Sequence, residues 1–278
     1  EELAAVSVEE LGDVRALKRH LTQTCQTPRF RQRLLHDGAV LGDAAGLPKR
    51  PLDLQMVLVP FSRAYRKHRD ELIDAAAQGR VLEVERILQR PQDADLPGSH
   101  EGKRPLVEAS SAGHVEVLEL LLEARADPNL TGCDGRTALQ LASRTGHVEI
   151  VRILLNAGAL TARAYRDTYM TALHEASSFG HSEVVRLLLD ARADKDSKAV
   201  NDWSALQLAS SHGHVETVRM LLQARADTDS VSISGTALHM ASSEGHLQVL
   251  TLLLQARSDL SRLNSWHGTA LHVASAEG

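Results

Sequence analysis

From residue 105 onward, small and large apolar positions recur in blocks of one shape. Five segments repeat it: PLVEASSAGH (105–114), ALQLASRTGH (138–147), ALHEASSFGH (172–181), ALQLASSHGH (205–214) and ALHMASSEGH (237–246). Each is followed by an apolar run: VEVLELLLEA, VEIVRILLNA, SEVVRLLLDA, VETVRMLLQA and LQVLTLLLQA. The Gly-His pairs are spaced 33, 34, 33 and 32 residues apart. Every unit predicts two short helices. The first carries a narrow face of small residues, as in Ala138, Leu139 and Ala142; the second carries a stripe at helical spacing, as in Val148, Val151, Leu154 and Leu155. Thr137, Thr171, Ser204, Thr236 and Thr269 stand where a hydroxyl caps the first helix. The glycine of each Gly-His pair ends it, because glycine turns left-handed without strain. Glu149 and its counterparts fall in the first turn of the second helix, where the helix dipole favours them. One such unit cannot bury its own apolar stripe, whereas a stack of them can.

The period extends in both directions. ELIDAAAQGRVLEVERILQR (71–90) reads as a degenerate opening unit, with Leu72 and Gly79 in register with Leu106 and Gly113. ALHVASAEG (270–278) stops inside a unit, and the chain opens on Glu1 without a methionine, so a longer protein is expected.

Residues 1–61 have a different pattern. LAAVSVEE alternates like a strand, and VRALKRHL places Val14, Leu17 and Leu21 on one helical face. PRFRQRLLHDGAVLGD predicts a short strand, a turn at Asp37-Gly38 and Leu41 beyond it. LDLQMVLVPF closes the segment with alternating Leu54, Met56 and Leu58. Residues 62–70 form a basic linker or lead-in helix.

The period and layout of 71–278 resemble the ankyrin repeat, about six and a half copies with the last cut short. TALHEASSFGHSEVVRLLLDARADKD (171–196) carries the resemblance most fully. The order of elements in residues 3–61 is similar to ubiquitin, on Val14, Leu17, Leu21, Pro28, Gln32-Arg33-Leu34, Gly38, Leu41 and Leu54-x-Met56-Val57-Leu58. That fold's first strand is missing, and no Gly-Gly tail follows Leu58, which rules out a conjugated modifier. The implied fold class is mainly α: an ankyrin-repeat helical solenoid preceded by a small α+β ubiquitin-like (β-grasp) domain. Leu35 and Val57 fall where ubiquitin displays its apolar docking patch; the plainer reading makes them strand residues under a loop.

One departure from the ankyrin pattern recurs. After the second helix the pattern has glycine, kept here as Gly158 but replaced by Arg125, Arg192, Arg225 and Arg257. If the turn keeps its shape, each arginine costs about 1–2 kcal/mol. The plain reading has them cap the helix and pair with Asp127, Asp194, Asp227 and Asp259; the sharper one is a basic ladder for an acidic partner.

Charge narrows the choice of partners. Residues 71–278 carry 19 Lys+Arg against 27 Asp+Glu, an acidic balance that disfavours nucleic acid. No run of 18 apolar residues spans a membrane. Cys25 and Cys133 make neither a disulfide framework nor a metal knuckle, consistent with a reducing compartment, cytoplasm or nucleus. Phosphate loops, zinc motifs and nucleophile elbows are absent from the sequence, so neither enzyme activity nor a cofactor is expected. Eight of the 14 histidines belong to the repeat (His114, His147, His174, His181, His214, His239, His246 and His272), and a structural role is expected of them rather than metal binding.

The resemblance implies a protein partner held in a concave groove of finger turns and first helices. The candidate contacts are Asp134, Arg136, Asp167, Tyr169, Met170, Trp203 and Trp266 on the fingers, with Arg144, Phe179, His212 and Glu244 on the helix edge. Tryptophan, tyrosine and arginine are the usual anchors of protein interfaces; the competing reading packs the rings on neighbouring fingers. The front domain would link the bound client to ubiquitin-reading machinery. Alternatively, the chain is the targeting arm of a larger enzyme or channel.

Overall fold

The computed structural model describes residues 11–36, 39–47, 54–58, 66–90, 93–98, 102–164 and 169–277. They fall into two compact units: Glu1–Leu106 with Glu116–Asp127, and Val107–Val115 with Pro128–Gly278.

In the first unit, α1 (Val14–Cys25) starts where the Asp13 carboxylate accepts the Ala16 N–H at 2.8 Å. Its apolar face, Val14, Leu17 and Leu21, packs on Leu34 of β1 (Gln32–His36). The strands β2 (Ala39–Val40) and β3 (Gln55–Leu58) flank β1 in an antiparallel sheet of order β2-β1-β3. Leu34 pairs with Met56 on the face towards α1. Leu35 pairs with Gln55 and Val40, and Arg33 with Val57, so Leu35 and Val57 share the opposite face, Val57 being 48% exposed. The strand expected in LAAVSVEE and the turn at Asp37-Gly38 lie outside the described residues. Leu58 departs from its alternation and is exposed. It sits opposite buried Gln32, whose amide donates to the Thr22 hydroxyl and the Thr27 carbonyl, so the core ends there in polar groups.

The helices α2 (Arg66–Ala77) and α3 (Val81–Leu88) follow in this unit; α4 (Pro105–Ala112) falls mostly in the second unit, and α5 (Val115–Glu123) mostly in the first. Leu72 is buried and Gly79 has φ +66°, as expected of an opening repeat. Arg29, only 1% exposed, ties the small sheet module to α3 and α5 within this unit. Its guanidinium donates to Asp43 at 2.9 Å, Glu85 at 3.3 Å and Glu123 at 2.6 Å. Lys18 also pairs with Asp43 (2.5 Å), Arg15 with Glu85 (3.0 Å) and Arg19 with Glu123 (2.7 Å). A planar fork suits this three-way geometry, and each carboxylate has a second cation.

The second unit is a stack. The first helices α6 (Ala138–Thr145), α8 (Ala172–Ser178), α10 (Ala205–Ser211), α12 (Ala237–Ser243) and α14 (Ala270–Glu277) pack on one another in order. So do the second helices α7 (Val148–Asn156), α9 (Ser182–Asp190), α11 (Val215–Gln223) and α13 (Leu247–Gln255). Ala142, Ala176, Ala209 and Ala241 are wholly buried, which lets first helices approach closely.

Polar side chains stitch one repeat to the next. Gln140, His174, Gln207 and His239 each accept the N–H of the capping Thr or Ser. Each then reaches a carbonyl of the following finger segment: Met170, Ser197, Gly235 and Gly268, respectively. The Gly-His histidines reach backwards: His181 to the Arg144 carbonyl (2.9 Å), His214 to Ser178 (3.0 Å) and His246 to Ser211 (3.0 Å). The His214 ring lies over Gly180, where an added Cβ would stand 2.6 Å from its Nδ1. These histidines hold the stack together. Buried His174 and half-buried His214 both have pKa values lowered by desolvation.

Arg125, Arg192, Arg225 and Arg257 have φ values of +60° to +69°, so the turn keeps its left-handed shape. The expected ion pairs with the following aspartates are not what forms at three of the sites. Asp194, Asp227 and Asp259 instead accept backbone N–H groups two residues on. A carboxylate so placed satisfies its own turn at short range, with no long side chain to order. The next Asx residue spans repeats: Asn129 accepts from Leu160 N–H, Asp196 from Asp227 and Asp229 from Asp259, each at 2.8 Å.

Candidate functional site

The candidate site lies in the second unit, along the fingers and first-helix edges. Each finger turns tightly just before a capped helix. In four fingers a left-handed residue stands two residues ahead of the cap: Gly135 (φ +80°), Tyr169 (+53°), Asp202 (+61°) and His267 (+58°); in the finger before α12 it is Gly235 (+109°), next to the cap. Glycine occupies that region freely, whereas a tyrosine there is strained. Tyr169 is nonetheless 62% exposed, with its ring given to solvent. Asn201 is left-handed as well, and the Ala199 N–H donates to the Trp203 carbonyl at 2.8 Å, which fixes this tip.

Two clefts open beside these tips. One, of about 390 Å³, is lined by Met170, Val200, Trp203, Leu208, His212 and Ile233. The other, of about 540 Å³, is lined by Trp203, Met240, Glu244, Asn264 and Trp266, among others. Five candidates from the sequence therefore line adjoining clefts: Met170, Trp203, His212, Glu244 and Trp266. The His212 ring donates from Nδ1 to the Leu208 carbonyl (2.9 Å) and stacks on His214.

Four of the other candidates, Asp134, Arg136, Arg144 and Phe179, gather around a residue that sequence reasoning missed. Glu175, 1% exposed, accepts from Arg136 at 3.1 Å and pairs with Arg144 at 3.6 Å. Arg136 also pairs with Asp134 (3.1 Å), and the Arg144 guanidinium lies 4.7 Å from the centre of the Phe179 ring. Burial alone would lower the Arg136 pKa, but Asp134 and Glu175 outweigh it and hold the guanidinium above its ordinary value. At this end the candidate site is thus an ionic cluster edged by one aromatic ring. Asp167 lies outside the described residues. The signal for Glu175 was partial: its helix position is apolar in four other repeats, at Leu141, Leu208, Met240 and Val273, but the repeat of α4 also carries a glutamate there, Glu108. Val200 and Ile233 were missed because a finger's apolar residues follow no helical or strand period.

Among the described residues no cluster of histidine, cysteine, aspartate and glutamate could hold a metal ion, and no helix is long and apolar enough to cross a membrane.

The family profile described as "Ankyrin repeats (3 copies)" matches residues 72–164 and 160–232, and "Ankyrin repeats (many copies)" matches 238–278. The chain is an ankyrin-repeat protein. Its ankyrin fold is shared with the human ASB11 ankyrin repeat domain, at 30% identity and a TM-score of 0.67, over 73% of this chain and 90% of that one. Ankyrin repeats point to a protein–protein interaction module, and the capped first helices seen here are the frame on which their fingers are held.

Proposed function

We propose that the chain is a non-catalytic scaffold that binds a protein partner in the groove of its ankyrin stack. The observation that carries this reading is Tyr169, an aromatic exposed at a strained left-handed position, next in sequence to Met170, which lines a cleft with Trp203, while Trp203 and Trp266 line the other. Backbone strain clusters at binding and active sites, and an exposed aromatic held in it is a candidate contact. A groove preformed by capped helices loses little conformational freedom on binding. A reducing compartment, where Cys25 and Cys133 stay as thiols, fits this role.

Site-directed photocrosslinking with the full chain tests the reading. Benzoylphenylalanine at His212 or Ser243 is expected to capture a protein partner, and at Arg219 or Gln248 on the second helices it is not. Capture confined to the second-helix positions would overturn it.

A second reading concerns the sheet module. We propose that it is a ubiquitin-like domain displaying Leu35 and Val57. Support comes from α1 packed on one sheet face while these two residues share the other. Leu35→Asp with Val57→Asp in the full chain should abolish binding to ubiquitin receptors; parent-level binding, or none by the parent itself, rejects the idea.

A further inference from the structure

We infer that the cleft bounded by Trp203 and Trp266 is a pocket for a basic side chain, lysine or arginine, on an extended segment of the partner. The inference rests on the groove reading and adds what the partner must present. Trp203 sits half-buried on the finger before α10, and Trp266, 73% exposed, on the finger before α14. Both indoles line one cleft of about 540 Å³, room for a long side chain and the backbone that carries it.

The charges of the lining decide its chemistry. Among the described residues that line the cleft, Glu244 is the one carboxylate, and no lysine or arginine is present. Glu244 is exposed at the C-terminal end of α12, where the negative pole of the helix dipole adds to its charge. The two lining imidazoles do not offset it. His239 accepts the Thr236 N–H at Nδ1 (3.1 Å) and lies 3.1 Å from the Gly268 carbonyl through Nε2, so both of its ring nitrogens are engaged within the stack. His272 likewise accepts the Thr269 N–H at Nδ1. Arg136 and Arg144 are engaged with Glu175 and do not line this cleft.

Indole faces attract cations through their negative π surface, and a carboxylate beside them strengthens the attraction. An acidic side chain would meet Glu244 with like charge. An aliphatic one would strip water from the carboxylate and return no partner. A lysine or arginine satisfies both the rings and the charge.

Tryptophan fluorescence gives a direct test, because Trp203 and Trp266 are the chain's two tryptophans. The probes are four acetylated, amidated heptapeptides, Ser-Ala-Ser-X-Ser-Ala-Ser, with X as lysine, arginine, norleucine or glutamate. Titrated into the full chain, the lysine and arginine peptides should change the emission saturably, with affinity roughly five- to thirty-fold above norleucine. The glutamate peptide should give no response. Glu244→Gln should collapse the preference to about two-fold or less, and Trp266→Leu should abolish binding. Both residues are exposed, so both variants should melt with the parent. Equal affinity for norleucine, or a preference that survives Glu244→Gln, overturns the inference while leaving the groove itself as a binding site. Silence from all four peptides at millimolar concentration overturns it too, and photocrosslinking from His212 then decides the groove reading separately.

Discussion

Several side chains occupy backbone positions that suit glycine, and their reasons differ. Arg225 is left-handed and exposed at the turn after α11, and Asp227 takes the backbone N–H of Asp229. Arg225→Gly should therefore stabilise the fold by up to about 1 kcal/mol, the relieved strain being offset in part by the freer unfolded chain. Denaturant unfolding measures this. Tyr169→Gly should raise stability by a similar amount, about 1 kcal/mol, yet weaken partner capture. That opposition of signs separates a residue kept for contact from one kept for packing; weaker stability with unchanged capture would mean the ring serves the stack. Pattern reading located the turns because glycine is their ordinary occupant. It could not say what the exceptions touch, since an arginine's reach is set by three-dimensional neighbours.

Between elements, the closest approach is a ring on a backbone. Gly180 has φ +73° and lies under His214, whereas Gly245 has φ +69° and nothing within 4 Å of its missing Cβ. Gly180→Ala should cost about 2–4 kcal/mol, from the strained φ and the displaced ring together. Gly245→Ala should cost only about 1 kcal/mol, from its φ alone. Equal costs at the two sites would show that the ring gives way freely. Helices, caps and stacking order were legible in the sequence because one 33-residue unit states them several times over. The buried Arg29 cluster was not, because its partners Asp43, Glu85 and Glu123 lie far apart along the chain and follow no period. Arg29→Ala should destabilise the first unit by about 3–5 kcal/mol, as expected when one partner of a buried ion cluster is removed. Arg29→Lys should rescue little of that, since an ammonium cannot fork to three carboxylates. Hydrogen exchange in α1 and α3 would report both variants.

For the molecule as a whole, buried titratable groups set the response to acid. His174 and His214 are held below the ordinary value of 6.5 by desolvation, so the unfolded chain protonates first. Their contribution to stability is complete above about pH 6.5 and is lost as the pH falls through the lower folded values. Asp95 has the opposite sign. Burial raises its pKa from 3.8 to about 6, even though it accepts the Asp127 N–H, so its charge costs the folded state above pH 6 and the cost fades towards pH 4. Asn129 bonds the next rung with an amide, so Asp95→Asn should keep the bridge. The variant should melt roughly 1–2 °C higher at pH 7.5, with no gain near pH 4. A gain that persisted in acid would place the cause elsewhere.

The backward lean of His147, His181, His214 and His246, each onto the glycine of the preceding repeat, gives the protein a natural unit of editing. Removing residues 171–203 would bring α10 onto α6 and offer the His214 ring a seat on Gly146 in place of Gly180. A cut of half that length leaves the ring with no seat at all. Shortening or lengthening by whole periods is thus the change this architecture accepts, and with it the reach of the surface it offers to another molecule.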